Sequence, residues 1–190
     1  METRSSAVRR ILNLPDVRTT KDGRRFVIRE MKLSDAEMLL EHLRALAEER
    51  VFLLLEPDEI PQTVEEERNI LKIYQEENRR MLVAVMDGKI VGTADCRIGN
   101  IKKTGHTASF GVAVRKEYRG LGIGSALLSA LIEWAESRGV EKLWLSVFST
   151  NERAIALYKK LGFQVECIKK GQFRVNGEYV DEVVMARWIR

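Results

Sequence analysis

The sequence predicts one mixed α/β domain: a mostly antiparallel sheet of about seven strands with helices on both faces. Three observations carry this. Strand-like β-branched and apolar runs are interleaved with segments whose apolar residues recur at helical spacing. The dipeptides Asp87-Gly88 and Asn176-Gly177 each sit between two strand-like runs, where they signal tight hairpins. The resulting order is strand, two helices, three strands, helix, strand, helix, two strands, with no internal repeat.

The elements follow from local chemistry. Residues 1–23 mix Arg4, Arg9, Arg10 and Arg18 with Ser, Thr and Asp, and read as a flexible basic extension preceding a single domain over residues 24–190. The first strand is expected at residues 25–29. Ser34 is placed as the N-cap of a helix carrying Met38, Leu39, Leu43 and Leu46 on one face. Pro57 and Pro61 mark a loop, and Thr63-Val-Glu-Glu66 is a capping box opening a second helix that runs to about Gln75. Residues 81–85 and 90–94 form the first hairpin, and Thr107–Val114 is a further strand. Ile123–Ser137 is a long amphipathic helix stopped by Gly139. The apolar run at residues 143–148 suits a central strand. A short helix over residues 151–161 stops at Gly162, and two long strands surround Asn176-Gly177.

Composition excludes several classes. At 190 residues the chain suits one domain with a sizeable core. Its 45% hydrophobic and 32% charged residues argue against wholesale disorder. A net charge of +4 is too small and scattered to indicate nucleic acid, and DNA binding by the basic arm is a remote reading. No run is apolar for the length of a membrane span and no secretory pattern opens the chain, so no membrane is expected and the cytoplasm is the default. Cys96 and Cys167 lack His or Cys neighbours at ligand spacing, which predicts two reduced, buried thiols and no metal.

The chemistry is concentrated between residues 112 and 125. A strand leads into a turn of basic and glycine residues, and the turn opens a helix. Helix N-terminal N–H groups are unpaired and partly positive. Glycines let an anion approach the backbone, and Arg119 adds a forked cation, so the parts make a pyrophosphate cradle. It is not a nucleotide-hydrolysing loop, because Gly124-Ser125 lacks the preceding Lys. It is not a dinucleotide fold either. Residues 115–119 separate the strand from the glycines, and the next strand ends in Ser149-Thr150-Asn151 without the acid that would hold a ribose.

Arg119-x-x-Gly122-x-Gly124 resembles the coenzyme A signature of the GNAT superfamily of N-acetyltransferases, and residues 151–163 are similar to that family's second motif. The resemblance spans roughly residue 25 to the C-terminus, with the front third matched by element order alone. It implies the GNAT fold, acetyl-CoA as acyl donor, a primary amine as acceptor, and direct attack in a ternary complex. Residues 140–162 look like the branch acting on protein N-termini, whereas residues 176–185 look more like branches acting on small amines. A coenzyme A-binding sensor or subunit without efficient transfer is the alternative, and a homodimer is compatible with either.

The resemblance also implies residue roles. The strands at 107–114 and 143–148 would splay apart. Backbone N–H groups near Val112, Ala113 and Val114 would polarise the thioester carbonyl. Arg119, Gly120, Leu121, Gly122, Ile123, Gly124 and Ser125 would hold the pyrophosphate, with Asn151 touching the cofactor or capping its helix. Tyr158 stands where the family keeps the acid for the leaving thiolate, but it also lies on an apolar stripe with Ala154, Leu157 and Leu161 and so suits a core position. For the base, His106 stands where relatives carry a carboxylate. A solvated-turn role for His106, with water as base, is the other reading. Glu56, Asp58, Glu59, Glu178, Asp181 and Glu182 are placed to attract a cationic amine.

Overall fold

The structure is a computed structural model that describes residues 14–189. One sheet of eight strands runs β1 (Asp16–Thr19), β2 (Arg25–Glu30), β3 (Arg79–Met86), β4 (Lys89–Ile98), β5 (Thr107–Val114), β6 (Lys142–Phe148), β8 (Glu178–Trp188) and β7 (Gln164–Val175). Every neighbouring pair is antiparallel except β5–β6. The helices are α1 (Ala36–Ala47), α2 (Val64–Leu71), α3 (Ile123–Ser137) and α4 (Glu152–Lys160).

The helices cover both faces as expected. The larger core packs Leu127, Leu128 and Leu131 of α3 and Tyr158 of α4 against Leu82, Ala94, Phe110, Leu143, Leu145 and Met185. On the opposite face Ala36 and Leu39 of α1 and Leu71 of α2 pack on Val83 and Ile90. Both hairpin turns take the conformation their sequences ask for. Asp87 and Gly88 have φ of 50° and 74°, and Asn176 and Gly177 have 51° and 86°, values that fit the right-handed twist of the flanking strands.

Three expectations need correction. The sheet gains a strand because Asp16–Thr19 pairs with β2, so order begins inside the segment read as a flexible extension. None of the four β1 side chains is buried, which is why no apolar period marked it. Backbone pairing and the Thr20–Arg24 turn hold it instead, with Thr20 Oγ1 accepting from Arg24 N at 2.9 Å. Arg4, Arg9 and Arg10 lie outside the described residues. Second, Ser34 is not a cap. Residues Leu33–Asp35 form a 3-10 turn, and Asp35 accepts from Lys32 N at 2.8 Å while paired to Arg29. Third, Cys167 is exposed because β7 is an edge strand open along most of its length, whereas Cys96 is buried. The capping box at Thr63 does form, with Glu66 N donating to Thr63 Oγ1 at 3.2 Å.

Candidate functional site

The site arises where the one parallel pair comes apart. β5 and β6 are in register only at Thr107–Lys142, Ala108–Leu143 and Ser109–Trp144. Beyond that point β5 keeps its β4 partner through Val114, but among the described residues its other edge has none. Apart from the Val114 carbonyl, which Arg119 takes, residues 110–114 therefore present unpaired backbone groups to a wedge-shaped gap, and an unpaired strand edge accepts an extended ligand as a further strand.

The gap is a cavity of about 670 Å³. Val112, Ala113 and Val114 form one wall, and Gly120, Gly122, Ile123, Gly124 and Ser125 the floor. Ala154, Leu157 and Tyr158 of α4 face them. Leu46 and Glu49 at the end of α1, with Phe52 and Leu53 from the loop that follows, close the top. Gly122 is the N-cap of α3 at φ 94°, a left-handed conformation that favours glycine, and no atom lies within 4 Å of where its Cβ would be. The first turn of α3 thus opens on free space with its N–H groups uncovered.

Of the residues expected here, all but two gather at the cavity: Leu121 and His106 are the exceptions. Leu121 belongs to the cradle turn and takes part through its backbone, where its carbonyl accepts from Lys21 N at 3.1 Å and ties the β1–β2 turn to the cradle. Asn151 serves as N-cap, its Oδ1 accepting from Ala154 N at 3.1 Å, while also lining the cavity. Tyr158 is 5% exposed and packs edge-on against Phe110 and Phe163. Burial pushes its hydroxyl up to about 12, and no protein partner among the described residues holds that hydroxyl. It is both a core residue and a cavity residue.

Arg119 lies at the cavity, but its donors are engaged elsewhere. Nε donates to Val114 O at 2.8 Å, and Nη1 and Nη2 clasp both oxygens of Glu49 at 2.6 and 2.7 Å. The guanidinium joins the end of β5 to the end of α1 rather than facing the phosphate space. Cationic charge comes instead from Arg153, whose Nη2 lies 3.0 Å from where a Gly120 Cβ would be, and from Arg18, Lys21 and Lys160 on the rim. Sequence reasoning missed Glu49, and it placed Arg153 inside the second motif without giving it a role. The only signal for Glu49 is proximity across α1 and the cradle, which no local pattern encodes.

His106 is exposed at the opposite end of β5, eight residues or roughly 26 Å along the strand from Val114 at ~3.3 Å per residue. Its carbonyl accepts from Glu141 N and Lys142 N at 2.8 and 3.1 Å, so it fastens the start of the β5–β6 pair. The structure does not bring it to the gap. His42 lies on the buried face of α1, where burial and the Arg115 cation push it down to about 3 and keep it neutral. Among the expected acids, Asp181 is paired with Lys170 and Glu182 with Lys169. Among the described residues no group of three or more His, Cys, Asp or Glu is arranged to hold a metal ion, and no helix is long and apolar enough to cross a membrane.

An anion cradle at a helix N-terminus, beside an unpaired strand edge and a buried tyrosine, defines an enzyme that moves an acyl group from coenzyme A. The chain belongs to the acetyltransferase (GNAT) family, whose pattern matches residues 43–163, and it is an acetyl-CoA-dependent N-acetyltransferase. It is similar to the L-amino acid N-acetyltransferase AaaT of Escherichia coli K12, 38% identical over 57% of this chain and 67% of that one. It is 42% identical to the ribosomal protein bS18-alanine N-acetyltransferase of the same strain, over 40% of this chain and about half (52%) of that relative. An N-alpha-acetyltransferase of Sulfurisphaera tokodaii matches at 35% over 76% of this chain and 83% of its own. Among solved structures, a GNAT-family acetyltransferase of Streptococcus pneumoniae superposes with a TM-score of 0.81 at 31% identity, covering 86% of this chain and 99% of that one.

Proposed function

We propose that this enzyme transfers the acetyl group of acetyl-CoA to a primary amine by direct attack within a ternary complex, the acceptor being a small-molecule amine or a protein N-terminus. The observation that carries the reading is the release of the β5 edge at residues 110–114 directly above the α3 N-terminus. Pantetheine pairs with that edge while its pyrophosphate meets the cradle. The thioester carbonyl then accepts from backbone N–H near Val112–Val114, which stabilises the oxyanion as it forms. The amine attacks without an enzyme nucleophile. Tyr158, aimed into the same cavity, returns a proton to the leaving thiolate.

The acceptor enters from the α1–α2 side, where Phe52 and Leu53 hang over the cavity. Relatives named for free L-amino acids and for a ribosomal protein alanine support both acceptor classes. The test is thiol release from acetyl-CoA with spermidine, free L-amino acids and an alanine-initiated octapeptide. Turnover with at least one is expected. Gly122→Val is expected to raise the acetyl-CoA KM at least tenfold in a folded protein, because it forces a side chain onto a left-handed N-cap that faces the pyrophosphate. Unchanged cofactor affinity in that variant contradicts the assignment.

A further inference from the structure

Next to the cavity, the sheet face under α1 and α2 is thinly furnished. Ser109, Gly111 and Ala113 of β5 point to this face and are only half-buried, while Ala108 and Phe110 on the opposite face are buried. Ala113 is a wall of the cavity and pairs with Thr93 of β4; Gly111 pairs with Asp95. Asp95 therefore lies one side-chain step, about 7 Å, along the same face from the cavity wall. A Cβ on Gly111 would sit 3.0 Å from Asp95 Oδ1, so the carboxylate lies over Gly111 in the space a side chain would otherwise fill.

The groups around Asp95 come from every neighbouring element. The Tyr74 hydroxyl, from the 3-10 turn that follows α2, interacts with the carboxylate and favours its ionised form. Arg79 of β3 and Arg97 of β4 attract it from a distance, with Arg79 itself engaged by Glu76 at 3.0 Å. Glu67 of α2 faces the Tyr74 hydroxyl. Burial outweighs these partners and raises Asp95 to about 6. A carboxylate kept this way on the acceptor side is poised to change charge near neutrality.

We propose that Asp95 is the base for the acceptor ammonium in the acetyl transfer described above, a proposal that rests on that reading. The ammonium gives one proton to the Asp95 carboxylate, directly or through one water, and its lone pair is freed. The nitrogen attacks the thioester carbon, the C–N bond forms and the C–S bond breaks. The thiolate takes the Tyr158 proton, and Tyr158 recovers one from the new amide nitrogen. Asp95 releases its proton to solvent, so one proton is lost per turnover.

The pH dependence follows with a definite sign. Only ionised Asp95 accepts a proton, so kcat/KM falls as pH drops below about 6. The Tyr74 hydroxyl favours the ionised form, so removing it moves this limb to higher pH. The experiment uses the full chain with acetyl-CoA and the fastest of spermidine, L-leucine and an alanine-initiated octapeptide. Asp95→Asn is expected to lose the acid limb and about 100-fold in kcat, with the acetyl-CoA KM within twofold of wild type. Tyr74→Phe is expected to keep the limb and shift it upward, which a purely structural role for Asp95 does not produce. If Asp95→Asn does not fold, Tyr74→Phe decides, and an unmoved limb overturns the proposal. A wild-type pH profile and rate in folded Asp95→Asn overturns it alone, whereas no transfer by wild type to any of the three amines overturns the acetyl-transfer reading with it.

Discussion

At the scale of single residues, the acid role proposed for Tyr158 would let packing and chemistry share a side chain. Its ring is fixed by Phe110 and Phe163, at centroid distances of 6.1 and 6.2 Å, so the side chain lines the cavity with little freedom to lose. Burial holds the phenol near 12, which keeps it protonated at neutral pH until a thiolate develops beside it. An acid of this kind acts on the transition state more than on binding. Tyr158→Phe retains the packed ring and is expected to lower kcat by 10²-fold or more, on the order expected for acid catalysis, with the acetyl-CoA KM nearly unchanged. Steady-state kinetics decide this, and an unaltered kcat would make Tyr158 a packing residue alone. The proposed role rests on the resemblance to a motif, because spacing alone put Tyr158 on an apolar face. Asp95 had no such motif. Strand register places it beside the cavity wall, which no local window encodes.

At the scale of elements, what the sequence revealed depended on whether burial left a periodic trace. α3 was legible to the residue because buried Ile123, Leu127, Leu128 and Leu131 mark one stripe and Gly139 ends it. β1 was not, since its side chains stay outside the core. The cradle was legible because its conformation is demanded locally, by glycines at positive φ before a helix. The join between the cradle and α1 was hidden for the opposite reason: Glu49 and Arg119 are 70 residues apart. This half-buried, bidentate pair pins the end of α1 and the loop that follows against the cofactor site. Glu49→Ala is expected to loosen that loop. The acceptor KM should then rise several-fold, while the acetyl-CoA KM stays the same or falls as the freed Arg119 turns toward phosphate. The lost pair should cost about 1–2 kcal/mol, or roughly 3–6 °C in Tm. A raised acetyl-CoA KM with an unmoved acceptor KM would show that the pair serves the cradle instead.

At the scale of the whole molecule, the cavity is bounded by segments drawn from most of the chain. Arg18 and Lys21 come from the β1–β2 region, Leu46 to Leu53 from the end of α1, Val112 to Ser129 from β5 through α3, and Asn151 to Lys160 from α4. The gap between β5 and β6 also leaves backbone groups on the strand edge to water. A ligand that fills the gap therefore joins parts of the fold that meet there across open space. It binds the native state and finds no equivalent in the unfolded chain, so it stabilises by mass action. Coenzyme A at 100 times its Kd is expected to add about 2.7 kcal/mol, which for a chain of this size is roughly 5–11 °C in Tm. The rim cations Arg18, Lys21, Arg153 and Lys160 give this shift a salt dependence, because exposed charges are screened as ionic strength rises. Thermal melts at low and high salt, with and without coenzyme A, measure both effects. Gly122→Val should melt somewhat below the unliganded wild type, because its left-handed φ strains a β-branched residue, and show little response to coenzyme A. A wild-type melt that saturating coenzyme A leaves unmoved would mean that the gap between β5 and β6 is not where the cofactor lies.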